Sequence, residues 1–158
     1  MMDRYAVVGN PVAHSLSPEI HARFAEQTQQ TLTYDRVEAP MGEFGRTADA
    51  FFAAGGAGIN VTVPFKGDAC MWVDALDALA GEAQAVNTVA LEGGRRVGYN
   101  TDGLGLVRDL AALGVKLDGA RVLLVGAGGA ARGVVRPLLD TPVAQLVIAN
   151  RTRERAVA

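Results

Sequence analysis

The sequence predicts an α/β protein made of two consecutive units: a mostly parallel α/β sandwich over residues 1–100, then the beginning of a second parallel unit over 101–158. Three observations lead there. Short β-branched runs alternate with amphipathic stretches along the whole 158 residues, which is the pattern of parallel strands joined by helices. Apolar residues make up 49% of the chain and charged residues 20%, the balance of a packed core and not of a disordered polymer. A glycine-rich turn, Gly126-Ala127-Gly128-Gly129-Ala130-Ala131, directly follows the apolar run Val122 to Val125.

The elements follow in order. Arg4 to Val8 reads as a strand. Ser17-Pro18 has the form of an N-cap followed by proline at the first helical position, opening a helix to about Gln27. Thr33 to Glu38 is a strand closed by Pro40, and Glu43 to Ala54 a helix ended by Gly55-Gly56. Gly58 to Val63 is a β-branched run stopped by Pro64, and Lys66 to Ala83 holds one or two helices. Val86 to Leu91 and Arg95 to Tyr99 form a hairpin around Gly93-Gly94. Asp102 to Leu113 is a helix closed by Gly114. Strand Arg121–Val125, helix Ala130–Leu139 and strand Gln145–Ala149 complete the order. Two strands and a helix leave a sheet edge and apolar surface uncovered, so the second unit is expected to be part of a longer whole.

Composition excludes several classes. Net charge is −2 with scattered Lys and Arg, so no basic stripe points to nucleic acid. No run approaches the ~20 apolar residues of a membrane span, and the apolar start is too short for a signal peptide. Cys70 is the only cysteine, which rules out an intrachain disulfide and a cysteine zinc cluster. A cytoplasmic enzyme acting on a small molecule, without a metal, fits all of this; a homodimer is compatible with it.

The glycine turn is a G-x-G-x-x-A pattern between a strand and a helix. Gly126 permits the tight turn, Gly128 lets a pyrophosphate approach the backbone, and Ala131 lets the helix pack on the strand. Phosphates would meet the free N–H groups opening that helix. The next strand ends in Asn150-Arg151-Thr152, with Arg155 one turn on. No acidic residue stands at Asn150 or Arg151 to hold a ribose hydroxyl, and guanidiniums suit a 2′-phosphate, so the expected cofactor is NADP(H). The alternative for this stretch is a solvated Arg/Glu face.

Three further clusters carry chemistry. Ser15 and Ser17 lie in the loop after the first strand, where parallel sheets bind ligands; their hydroxyls suit a carboxylate, although Ser17 could serve only as a cap. Asn60 and Thr62 alternate with Val61 and Val63 and so share a face, with Lys66 following as either an acid/base or a solvated lysine. Asn87-Thr88 pairs with Asn100-Thr101-Asp102-Gly103, where Asp102 is either a helix cap or a lysine's counter-charge.

In this order and spacing the motifs resemble the NADP-dependent shikimate dehydrogenases over the whole chain. The resemblance implies a Rossmann-type NADP-binding domain over 101–158, present in part, behind a substrate-binding domain over 1–100. It implies that Ser15 and Ser17 bind the shikimate carboxylate, and that Asn60, Thr62, Asn87 and Asp102 hold the ring hydroxyls. Lys66 would be the catalytic acid/base with Asp102 as its partner. Gly126, Gly128, Gly129 and Ala130 would cradle the pyrophosphate; Asn150, Arg151, Thr152 and Arg155 would hold the 2′-phosphate. The implied reaction is NADP-dependent reduction of 3-dehydroshikimate, a step of aromatic amino acid biosynthesis. The alternatives are a quinate/shikimate dehydrogenase using both NAD and NADP, and a catalytically silent piece that only binds ligand. The family's longer chains would add a Tyr and a Gln near the substrate and helices returning to the first domain. The sequence departs from the family at Gln84, where members carry glycine before Ala-Val-Asn-Thr; that puts the local backbone in question.

Overall fold

Strand β1 (Asp3–Gly9) is flanked in parallel by β2 (Leu32–Glu38) on one side and β3 (Gly56–Val61) on the other. The sheet continues antiparallel through β5 (Thr88–Glu92) and β6 (Arg95–Tyr99), and ends on a two-residue strand β4 (Ala75–Leu76) that runs parallel to β6. The six strands thus lie in the order β2-β1-β3-β5-β6-β4. A second sheet pairs β7 (Arg121–Val125) with β8 (Gln145–Ala149) in parallel. The helices are α1 (Ser17–Thr28), α2 (Phe44–Ala53), α3 (Lys66–Trp72), α4 (Ala78–Ala83), α5 (Asp102–Ala112), α6 (Gly129–Leu139) and the short α7 (Glu154–Val157). This computed structural model describes residues 2–157; the side chain of Arg155 lies outside the described residues.

The predicted α/β class and element order hold, with three local differences. The segment 66–83 is two helices separated by β4, a strand too short to leave a periodic signal. β3 begins and ends two residues earlier than expected, which leaves Thr62 just beyond the strand. Ser17 is the first helical residue of α1, with Leu16 as the cap and Pro18 next. Its hydroxyl is therefore not spent as an N-cap.

The core lies on one face of the large sheet. Ala6 and Val8 of β1 and Ile59 and Val61 of β3 pack with Phe44, Ala48 and Phe51 of α2, Ala69 of α3 and Ala80 of α4. The opposite faces of the same sheet carry Asn60, Tyr34 and Thr88, by the period-two alternation of strands. Loops at the strand ends are knitted by Asn10, whose backbone N–H reaches Val63 O at 3.0 Å and whose side chain reaches Ala39 O at 2.9 Å.

The two sheets are joined through α5 and α6. A Cβ on Gly103 would fall 2.5 Å from the Gly133 carbonyl oxygen, and one on Gly133 would fall 2.7 Å from Asn100 Nδ2. The helices can approach this closely only because neither position has a side chain. Arg132 of α6 adds a hydrogen bond to the Gln84 carbonyl at 3.1 Å. Gln84 itself caps α4 in the left-handed region, at φ 47° and ψ 42°. Glycine reaches that conformation without the steric cost that other residues bear, so the backbone at Gln84 is one that glycine would adopt more easily.

Candidate active site

The site is assembled where β1 and β3 end and where α3 and α5 begin. Lys66 is the first residue of α3, set by the cap residue Phe65, which is 1% exposed. Asp102 is the first residue of α5, and its backbone N–H is held by Asn100 Oδ1 at 3.1 Å. Asn100 is itself buried and donates to Ala85 O at 2.8 Å. These contacts bring Lys66 Nζ to 2.5 Å from Asp102 Oδ2, with side chains only 13% and 25% exposed. Asp102 is thus paired with Lys66, and no side-chain cap hydrogen bond is made at the start of α5. The carboxylate's other oxygen accepts from Asn87 Nδ2 at 2.8 Å, and that same amide nitrogen reaches Thr101 Oγ1 at 2.9 Å.

The polar row continues across the sheet. Thr88 Oγ1 donates to Asn87 Oδ1 at 3.0 Å, and Asn60 Nδ2 donates to Thr88 Oγ1 at 3.0 Å. Asn60 Oδ1 accepts from the Tyr34 hydroxyl at 2.6 Å. Burial pushes the Tyr34 phenol up to about 12, against the pull of the neighbouring Ser17 hydroxyl. In the loop after β1, Ser15 Oγ donates to Ser17 Oγ at 3.0 Å. Arg36 fixes this loop by donating to Ser15 O at 2.8 Å while pairing with Glu19 at 2.7 Å. Lys66, Asp102, Asn87, Thr88, Asn60 and Tyr34 are thus linked in one hydrogen-bonded row, and the Ser15–Ser17 loop meets its Tyr34 end through His21. Thr62 stands beside this row, half-buried, with its methyl directed at Gly9 and no side-chain hydrogen bond among the described residues.

Tyr34 and Arg36 are functional-site residues that are not named from the sequence. Tyr34 and Arg36 alternate with Asp35 along β2, but only the strand register shows which site they face. Asn100 belongs to the polar run named from the sequence, but its burial and its bond to the Asp102 N–H show only in the structure.

The glycine turn comes up against the Lys66 end of this row. Gly126 leaves β7 at φ 118°, a value that L side chains rarely adopt. Its N–H bonds Ala149 O at 2.8 Å, which sets the end of β8 beside the turn. A Cβ on Gly128 would meet nothing within 4 Å, whereas one on Gly129 would lie 3.4 Å from Lys66 Cβ. A cleft of about 470 Å³ opens here, lined by Gln84, Ala127, Gly128, Gly129, Arg132 and Glu154. Ala130, exposed, follows in the first turn of α6. Past β8, Arg151 and Thr152 are exposed, while Asn150 Nδ2 is engaged with Thr152 O at 2.7 Å. Open space over Gly128, free N–H groups opening α6 and an exposed guanidinium beyond β8 fit a dinucleotide phosphate.

A polar α/β sheet facing a glycine-turn βαβ unit defines a two-part protein of the dinucleotide-binding α/β class. Residues 7–89 match the family model for the shikimate dehydrogenase substrate binding domain, and 109–158 match shikimate / quinate 5-dehydrogenase. The chain belongs to the shikimate dehydrogenase family. It is 55% identical over 159 residues to the shikimate dehydrogenase (NADP(+)) of Alkalilimnicola ehrlichii, covering 100% of this chain and 59% of that protein. Among solved structures, an Ael1 enzyme from Pseudomonas putida is 44% identical with a TM-score of 0.90, over 98% of this chain and 58% of that one. Shikimate 5-dehydrogenase from Thermus thermophilus, solved with NADP(H) and shikimate, is 36% identical with a TM-score of 0.91, over 99% and 59%. The chain spans about three-fifths of the length of the curated relatives it matches. Among the described residues no helix is long and apolar enough to cross a membrane.

Proposed function

We propose that this chain carries the substrate site, the acid/base pair and the adenosine side of the cofactor site of an NADP-dependent shikimate dehydrogenase, which reduces 3-dehydroshikimate to shikimate. The observation that carries the reading is the Lys66–Asp102 pair at 2.5 Å, set at one end of a row of hydroxyl and amide groups and against the glycine turn. Ser15 and Ser17 would take the substrate carboxylate. Asn60, Thr62, Asn87 and Asp102 would take ring hydroxyls. The pyrophosphate would lie over Gly126, Gly128, Gly129 and Ala130, and the 2′-phosphate against Asn150, Arg151 and Thr152, with Arg155 as the expected fourth group.

When bound, NADPH supplies the hydride that reduces the ring ketone. Lys66 gives its Nζ proton to the ketone oxygen as that oxygen gains charge, a stabilisation that a positioned cation provides without a metal. Asp102 anchors the ammonium, and Asn87 anchors Asp102, so the donor is fixed before substrate arrives. A second reading, ligand binding without turnover, is favoured by the uncovered apolar face of the β7–β8 sheet, where Leu123 and Val125 are 62% and 79% exposed. Calorimetric titration with shikimate, paired with an NADPH-oxidation assay on 3-dehydroshikimate, tests both. Binding with turnover supports the first reading, binding alone the second, and neither would overturn both.

A further inference from the structure

Between Tyr34 and Asp102 the four successive hydrogen bonds of the polar row run the same way, and Lys66 donates into Asp102 from the far end. The Tyr34 hydroxyl donates to Asn60 Oδ1, Asn60 Nδ2 to Thr88 Oγ1, Thr88 Oγ1 to Asn87 Oδ1, and Asn87 Nδ2 to Asp102 Oδ1. We propose that Tyr34 is a positioning residue for the substrate site: its hydroxyl heads this one-way chain, fixes the Asn60 amide, and so sets which atom of Asn60 is left to meet a ring hydroxyl of a polyhydroxylated acid.

A carboxamide has two N–H donors and two acceptor lone pairs. At Asn60 both donors are used, on Thr88 Oγ1 at 3.0 Å and on the Asn87 carbonyl at 3.4 Å. Tyr34 occupies one lone pair of Oδ1 at 2.6 Å. One lone pair remains, so the group that Asn60 offers to a ligand is an acceptor. Removing the phenol hydroxyl leaves Oδ1 without its donor and the amide held from one side only.

The Tyr34 ring is clamped in turn. His21 of α1 stacks on it with centroids 4.0 Å apart and planes 15° from parallel. His21 Nδ1 lies 2.8 Å from the Ser17 carbonyl oxygen; since a carbonyl only accepts, Nδ1 carries the hydrogen. The serine loop thus holds the imidazole, the imidazole holds the phenol, and the phenol holds Asn60. This connects the end of the site suited to a carboxylate with the end suited to hydroxyls. A phenol is a donor at neutral pH by its ordinary value of 10, and burial, which raises it to about 12, extends that range further into alkali.

The ligand rests on the function proposed above, and one set of measurements separates the two. Side-chain amide NMR of the whole chain is recorded without ligand for the native chain and for Tyr34→Phe. The Asn60 amide resonances should move, those of Asn87 should move less, and the remote Asn10 amide should stay. Shikimate affinity should fall roughly three- to tenfold, the scale of one hydrogen bond, and Tyr34→Phe should add nothing in an Asn60→Ala background. Unmoved Asn60 resonances, or the full loss of affinity in the Asn60→Ala background, would overturn the proposal. If Tyr34→Phe does not fold, 3-fluorotyrosine placed at position 34 keeps ring and hydroxyl but is a stronger donor, and the Asn60 amide must again shift. Failure of the native chain to bind shikimate removes the functional reading, while the ligand-free spectra still decide the role of Tyr34.

Discussion

The two sheets are built by the same strand–helix–strand logic and arrive at opposite burial. In the six-stranded sheet Ala6, Val8, Ile59 and Val61 are each 2% exposed or less. In the two-stranded sheet Leu123, Val125 and Val147 are 62%, 79% and 43% exposed. The first sheet has α2, α3 and α4 against its apolar face, while among the described residues Leu124 and Ile148 of the second face Ala131 and Val135 of α6 and Ala156 of the short α7. The acid/base pair therefore rests on geometry fixed by many neighbours. The nucleotide turn rests on α6, which meets the first unit through the close approach at Gly103 and Gly133 and through the exposed bonds of Arg132 to Gln84 O and Arg136 to Glu82. Local stability follows the density of buried apolar contact, so the two halves of the proposed chemistry stand on supports of unequal stiffness.

The largest expected effect tests the stiff side. Lys66→Met should lower NADPH-dependent reduction by ~10²–10⁴-fold, the usual share of a positioned acid/base, with little change in shikimate affinity. Steady-state rates and a binding titration check this; a loss under about tenfold would take Lys66 out of the role. On the softer side, Arg151→Ala should weaken NADP far more than NAD, by roughly 1.5–3 kcal/mol or about 10–150-fold. The ratio of kcat/KM for the two cofactors reads it, and equal losses would favour the dual-cofactor alternative.

Much of this architecture was legible in the residues, and the parts that were not share a cause. The hairpin at Gly93-Gly94, the glycine turn and the start of α5 are local signals, written in neighbouring residues. The side of β2 that presents Tyr34 is not local, because its partner Asn60 lies on β3, two strands away across the sheet. Arg36 reaches back to Ser15 and Glu19 for the same reason, through register and not sequence proximity. The expectation that Ser17 caps α1 failed because a serine before proline looks the same as a first helical residue. Gln84 was a departure visible in sequence, but its left-handed backbone needed coordinates.

A third test strikes the junction between the halves. Gly133→Ala places a methyl where Asn100 stands, and overpacking of this kind costs about 1–3 kcal/mol. Hydrogen exchange should show the loss in β7 and β8 amides while β1 and β3 stay protected. Equal loss in both sheets would mean that they open as one unit and would dissolve the contrast. The smallest effect belongs to the large sheet alone. Hydrogen bonding from Arg96 holds the exposed Asp74 carboxyl down to about 2, from 3.8. A lowered folded value gives stability that is present above pH 3.8 and lost as pH falls towards 2. Asp74→Asn should therefore flatten the acid limb of the unfolding curve in that window, measured by circular dichroism. Neutral stability should drop only slightly, because solvent screens an exposed pair.

The face-to-face glycines Gly103 and Gly133 also carry a consequence for how this sequence can vary. Most interfaces tolerate some exchange among residues of similar size, so drift can explore them by small steps. Here the fitted quantity is the absence of atoms, and every alternative amino acid brings at least a carbon into space already held by backbone or by Asn100. No replacement at either position is gradual. A sequence that lost Gly103 would regain the contact by reversion or by moving a helix, whereas one that lost Gly133 would also have to displace or replace the Asn100 side chain.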